Sequence, residues 1–301
     1  MLSYISPQRG VKMNIFVPKL ENMLSSKEIP NLSPYSCFQN SYDYYNKILI
    51  NYLSRKINIA PNLISIYSEW LFINGKYYYF KQGQSFQELL MESIFKSINV
   101  KTLQHSIIQY KGFIGLISEN YRKIGKEYLN FNELLTPQEL TDLSFIKINR
   151  RLRLQLSKKD YETYLITACK IIAIDTLFGQ DDHGENNINF EKDSTNVRLV
   201  PMFDNESIFT EKYTDLIVNQ SCFGIFIFSD KYEDDNTIDA FTQIPELLSG
   251  FEQALNINLD KIFKLMEIKY NLRICQELRN QIQTYYDSRR NTVEKTLKLV
   301  R

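Results

Sequence analysis

The chain has 301 residues, enough for one large domain or two lobes around a sizeable core. Its 44% hydrophobic and 24% charged content lies near the globular average, which argues against disorder, and a net charge of +1 offers no global field to draw in nucleic acid or an anionic membrane. Four scattered cysteines (Cys37, Cys169, Cys222, Cys275) without a CxxC pair speak against a disulfide framework or a zinc site. No apolar run reaches the roughly 18 residues a membrane span needs, so the expectation is a soluble protein of a reducing compartment.

In chain order, the first 35 residues hold Pro7, Pro18, Pro30 and Pro34 and read as loops and short elements. Residues 40–55 show a weak helical pattern. Trp70-Leu71-Phe72-Ile73 and Lys76 to Lys81 are strand formers around Asn74-Gly75, a strong hairpin turn. A helix is predicted over about 85–97, with Phe86, Leu89, Leu90, Ser93 and Ser97 on one side and Glu88 and Glu92 four apart on another. Strands follow at 105–110 and 112–118.

From about residue 130 the pattern is helical. Ser157 with Asp160 three positions on marks a helix start, and Tyr161, Tyr164, Leu165, Ala168, Ile171 and Ile172 continue at helical spacing to about Phe178. Two short strands, 187–191 and 197–202, surround a polar turn. Amphipathic helices punctuated by Pro245, Gly250 and Asn256 close the chain. Strands plus one helix, then a helical part with an inserted hairpin, predict two lobes and a cleft. The boundary is placed between 1–118 and 119–301.

The stretch Gly179 to Asn187 packs Asp181, Asp182, His183, Glu185, Asn186 and Asn187 between an apolar helix and a strand. Polar loops held by rigid elements are where catalytic groups tend to sit. Phosphoryl transfer needs a carboxylate to orient the attacking hydroxyl, hard oxygen ligands for Mg²⁺, and a cation on the phosphates. Asp181 and Asn186 have the D-x-x-x-x-N spacing of a kinase catalytic loop, and Asp204 follows Asn186 by 18 positions at the end of a strand. Asp175, on the apolar stripe of the long helix, needs hydrogen-bond partners there and is expected to support the loop backbone.

Asp181-x-His183-x-x-Asn186 followed by Pro201-Met202-Phe203-Asp204 resembles the HipA-like and CtkA-type bacterial kinases and, more distantly, the phosphoinositide kinases. The resemblance spans about residues 75–210. It implies an α+β, two-lobed protein-kinase-like fold with a small β-rich N-lobe and a mostly helical C-lobe. It implies Asp181 as catalytic base, His183 as a structural member of the loop, and Asn186 and Asp204 as Mg²⁺ ligands. Lys81 matches the strand lysine on the ATP phosphates. Glu92 matches its helix glutamate best, with Glu88 second. Glu119 and Tyr121 fall at the hinge whose backbone would hold adenine.

The implied reaction is ATP- and Mg²⁺-dependent transfer of the γ-phosphate to a serine/threonine hydroxyl of a protein, including the kinase itself. The implied partners are an unidentified protein substrate and an antitoxin or host-cell protein. The implied setting is the cytoplasm, or a host cell receiving the chain as an effector. Tyr213, Thr214, Ser221 and Ser229 follow Asp204 where kinases regulate access. No Gly-rich loop precedes Lys81, and Asp182 stands where relatives often carry Arg. The residues alone also admit a lipid or small-molecule kinase, an inactive kinase-fold binding module, or a metal-dependent hydrolase using Asp181, Asp182, His183 and Asp204.

Overall fold

A computed structural model of the chain describes residues 68–73, 76–82, 85–110, 113–123, 126–130, 133, 145–180, 188–193, 197–203, 208–209, 240–270 and 274–300. The expectations for the first 60 residues, the Asn74-Gly75 turn, the Asp181–Asn187 loop, Asp204 and the stretch holding Tyr213 to Ser229 fall outside the described residues.

Aromatic and β-branched runs form the first sheet. Strands β1 (Ser68–Ile73) and β2 (Lys76–Gln82) are antiparallel, and Ile73 opposes Lys76, the register a two-residue turn requires. Helix α1 (Ser85–Ser97) follows two residues after β2. It closes through Asn99 in the left-handed region (φ 60°), which asparagine tolerates, while the Val100 N–H donates to Phe95 O at 2.8 Å. Strands β3 (His105–Tyr110) and β4 (Phe113–Glu119) complete an antiparallel sheet of order β1-β2-β4-β3.

Strand β5 (Glu127–Asn130), which the sequence pattern did not announce, pairs with β6 (Asn189–Lys192), and β6 with β7 (Val197–Leu199). Helix α2 (Phe145–Gln155) leads into α3 (Lys158–Phe178). The Ser157 hydroxyl caps α3 by accepting from the Asp160 N–H at 3.1 Å, and the Ser157 Oγ–H donates to the Asp160 carboxylate at 2.7 Å. From Ala168 to Phe178 every residue of α3 but Lys170 is buried, so this helix is the axis of the core.

Helices α4 (Glu246–Leu255) and α6 (Gln276–Val300) pack on α3, and α5 (Leu259–Tyr270) packs on α1 and α6. In α6 the residues Leu278, Ile282, Tyr286, Arg289, Val293 and Leu297 form one buried stripe at helical spacing. The closest crossing is α4 on α3: a Cβ on Gly250 would stand 2.6 Å from Cys169 O, so only glycine fits there. The architecture is mixed α/β, a small antiparallel sheet with one helix followed by a mostly helical part. No helix among the described residues is long and apolar enough to cross a membrane.

Candidate active site

Lys81 is partly exposed near the end of β2, opposite Leu116 of β4, which opposes Ile107 of β3. Side chains alternate along a strand, so Lys81, Leu116 and Ile107 share one face with the neighbouring row Tyr79, Ser118 and His105. Leu116 and Ile107 pack into the same core as Phe86, Leu89 and Leu90 of α1, which places this face toward α1. The sheet is drawn tight at Lys81 because β4 carries Gly115 there. A Cβ on Gly115 would lie 2.4 Å from Lys81 O and 2.8 Å from the Phe80 ring.

Glu92 is fully buried on α1. Its Oε2 accepts from the His105 N–H at 2.9 Å and lies 3.1 Å from His105 Nδ1. Its Oε1 accepts from Lys96 Nζ at 2.7 Å and from Lys269 Nζ of α5. Burial would raise the carboxyl's pKa, but the hydrogen bonds from His105, Lys269 and Lys96 outweigh it and hold the group below the ordinary carboxylate range. Lys269 also donates to the Tyr270 hydroxyl at 2.6 Å and sits 4.4 Å from that ring's centroid. Glu88, one turn earlier on the same side of α1, is buried as well, at 4% exposure. The side of α1 that carries both glutamates is therefore covered, by the sheet and by α5.

At the end of β4, Glu119 is exposed and pairs with Lys76 at 2.9 Å. The Asn120 N–H donates to Tyr77 O at 2.8 Å, which fixes the chain as it leaves the sheet. The Tyr121 ring then stacks on Phe203, centroids 5.4 Å apart and planes at 22°, with Tyr128 edge-on at 5.8 Å. Phe203 immediately precedes Asp204. The backbone just before it is tied to the link between α1 and β3: Met202 N–H donates to Lys101 O at 2.9 Å, and Met202 O accepts from the Leu103 N–H at 2.9 Å and the Thr102 hydroxyl at 3.0 Å.

Asp181, His183, Asn186 and Asp204 lie outside the described residues, but the residues flanking them do not. Helix α3 ends at Gly179 in the left-handed conformation (φ 62°), with the Gly179 and Gln180 N–H groups both turned to Asp175 O. Arg289 of α6, buried at 5% exposure, donates from Nε (2.9 Å) and Nη2 (2.7 Å) to Thr176 O in that last turn. The Phe209 N–H donates to Phe178 O at 2.7 Å. On the other side the Val200 N–H donates to Asn189 O at 3.0 Å. Described residues on either side of 181–187 are thus bonded to described residues on either side of 204–207: Phe178 to Phe209, and Asn189 to Val200. Asp175 is buried at 1% exposure, as its place on the apolar stripe predicts.

Among the described residues no group of three His, Cys, Asp or Glu side chains converges on a metal-sized site. The ligands proposed for Mg²⁺, the oxygens of Asn186 and Asp204, are hard donors suited to that ion. The Tyr121–Phe203 stack, the Lys269 contact with Glu92 and the Arg289 brace escape sequence reasoning. Local signals exist only for the Glu92/Lys96 pair at i, i+4 and for Arg289 as a charge on the apolar stripe of α6.

A small antiparallel sheet, one helix packed on it and a helical layer carrying an inserted hairpin define a kinase-like fold. Solved structures share it, among them these two. One is the Helicobacter pylori proinflammatory kinase CtkA, at 18% identity and a TM-score of 0.56, covering 76% of this chain and 93% of that one. The other is a chain of the Shewanella oneidensis MR-1 toxin–antitoxin complex of HipA, HipB and operator DNA, at 12% identity and a TM-score of 0.51, covering 83% of this chain and 71% of that one. The fold thus agrees with the likeness to HipA and CtkA kinases that the Asp181-to-Asp204 pattern suggested. No protein-family model matches the chain, and no curated protein matches its sequence.

Proposed function

We propose that the protein is an ATP- and Mg²⁺-dependent phosphotransferase that moves the γ-phosphate of ATP to a serine or threonine hydroxyl of a protein, its own chain included. Lys81, paired with a buried carboxylate of α1, holds the phosphates. Asn186 and Asp204 hold Mg²⁺, which when bound neutralises the phosphate oxygens. Asp181 accepts the proton of the attacking hydroxyl. The hinge at Glu119–Tyr121 receives the adenine. The observation that carries this reading is the tethering of the 181–187 and 204–207 flanks to each other beside a kinase-like sheet. The hydrogen bonds Phe209 to Phe178 and Val200 to Asn189 join residues flanking the two segments, which supports assigning Asp181, Asn186 and Asp204 to one site.

The test is incubation of the purified protein with γ-labelled ATP and Mg²⁺, with protein and with lipid acceptors. Label is expected on serine or threonine of protein, and Asp181→Ala and Asp204→Ala are each expected to lower transfer by at least about a thousandfold, the scale on which electrostatic and acid–base groups act. Both variants should keep the wild-type circular dichroism spectrum. Wild-type transfer by an Asp181→Ala/Asp204→Ala double variant would refute the assignment, and label on lipid alone would move the acceptor to another class.

A further inference from the structure

Helix α1 buries two carboxylates one turn apart, and a single phosphate lysine needs one of them. Both oxygens of Glu92 are already engaged, Oε1 by Lys96 and Lys269 and Oε2 by His105. Their partners place Glu92 under the sheet row Tyr79–Ser118–His105, at the β3 edge. Lys81 lies in the next row, with Leu116 and Ile107. Two residues along a strand advance about 6.8 Å, and one helical turn of four residues advances about 6 Å. Only residues 83 and 84 separate β2 from α1, so the start of α1 lies at the Lys81 end of β2. Stepping back one turn from Glu92 therefore moves toward the Lys81 row, and the residue found there is Glu88, buried at 4% exposure. Strand β4 lies between β3 and β2, so two spacings, about 9.6 Å, separate the edge above Glu92 from the strand of Lys81, and α1 approaches that strand toward its own start because only two residues join it to β2.

We infer that the two glutamates divide the work: Glu88 is the carboxylate that meets Lys81, and Glu92 is a positioning residue whose clasp with Lys269 and His105 fixes α1 against α5 and the sheet so that Glu88 is held in place. The inference rests on the proposed phosphotransfer for its nucleotide readout only. Lys269 lies 177 positions from Glu92, so the clasp fastens the helix of the first sheet to the C-terminal helices. The Tyr270 hydroxyl and ring hold Lys269 from behind. Removal of Glu92 leaves Lys269 without its carboxylate, and removal of Lys269 leaves the buried Glu92 to Lys96 and His105 alone, without its tie to α5.

Two double-variant cycles test the division. In urea unfolding, Glu92→Gln and Lys269→Met should be strongly non-additive, with a coupling of at least about tenfold in the unfolding constant, and Lys269→Arg should restore most of the loss. In Mg²⁺·ATP affinity, Lys81→Met and Glu88→Gln should each raise Kd at least about tenfold, and the double variant should be no worse than either alone. Lys269→Met should raise the KM for ATP by about three- to tenfold when Glu88 is present and not at all in the Glu88→Gln background, which a merely structural residue would not do.

Non-additivity between Lys81 and Glu92 in place of Glu88 would overturn the inference, as would additive effects of Glu92 and Lys269. If the wild-type protein binds no nucleotide, the phosphotransfer reading fails, and the unfolding cycles of Lys81 with Glu88 and with Glu92 still decide the pairing.

Discussion

Gly250→Ala sets two physical effects of opposite sign against each other. Gly250 lies inside α4, where alanine is favoured over glycine by about 1 kcal/mol on helix propensity. The added Cβ, however, would stand 2.6 Å from Cys169 O and 2.8 Å from Cys169 C, against 3.4 Å for ordinary contact. Both atoms are backbone in the middle of α3, so no side chain can rotate away. To recover contact the helices must part by roughly 0.8 Å, and a gap of that size forfeits a quarter to a half of the dispersion energy of each affected atom pair. Leu247, Phe251 and Ala254 share the buried stripe with Gly250 and would lose contact with it.

Overpacking of this kind costs typically 1–3 kcal/mol, enough to outweigh the propensity gain. The expected net effect of Gly250→Ala is thus a loss of about 1–2 kcal/mol, read as a lower urea midpoint at constant slope by circular dichroism. Ser249→Ala, on the exposed side one residue earlier, should stay within about 0.5 kcal/mol of wild type. A Gly250→Ala protein more stable by about 1 kcal/mol would show that propensity alone rules, and that the close α3–α4 crossing is wrong.

Two further outcomes follow from buried groups. Arg289→Met removes two charge-assisted hydrogen bonds from Thr176 O, in the turn that leads to Gly179, and should cost about 2–4 kcal/mol, measured as a fall in thermal midpoint; Arg289→Lys should rescue little, because a single ammonium cannot reproduce the planar fork, and full rescue would sink this reading. Burial raises the pKa of Tyr286 to about 12 and lifts Tyr164 and Tyr270 above the ordinary 10.0. The folded state therefore keeps protons that the unfolded state releases above pH 10, so stability is level below that pH and falls above it, by up to about 1.4 kcal/mol per pH unit for each such tyrosine. Urea midpoints compared near pH 9 and pH 11 should show the fall, with Tyr286→Phe falling less steeply, and an unchanged midpoint would contradict it.

What the sequence made legible were features written in local periodicity. The β1–β2 hairpin follows from a run of strand formers around Asn74-Gly75, and its observed register is the one that turn imposes. The start of α3 follows from Ser157 and Asp160, and its depth from an apolar stripe that continues all round the helix. Strand β5 was not legible, because four residues of mixed polarity acquire strand character only by pairing with β6, some 60 positions on. At the site, Lys81 and Glu92 were picked out by resemblance to the strand lysine and helix glutamate of HipA-like and CtkA-type kinases, but one sequence alone does not choose between Glu88 and Glu92.

That choice is made in three dimensions, by which sheet row each carboxylate sits under. It is made again by Lys269, a residue on an amphipathic helix that looks like any solvated lysine until α5 is folded onto α1. The same holds for Arg289: in α6 it occupies a core position of an otherwise apolar stripe, a local inconsistency that marks a buried cation in need of an acceptor. The acceptor is a helix-terminal carbonyl, which has no side-chain signature at all. The brace at Thr176 and the clasp at Glu92 thus act on two different helices, one in the last turn of α3 and one on α1. Both are charges supplied by the last 40 residues of the chain. Those residues hold α1 and the end of α3, and a chain shortened before Lys269 should lose Mg²⁺·ATP binding, measured as Kd, along with the core stripe of α6.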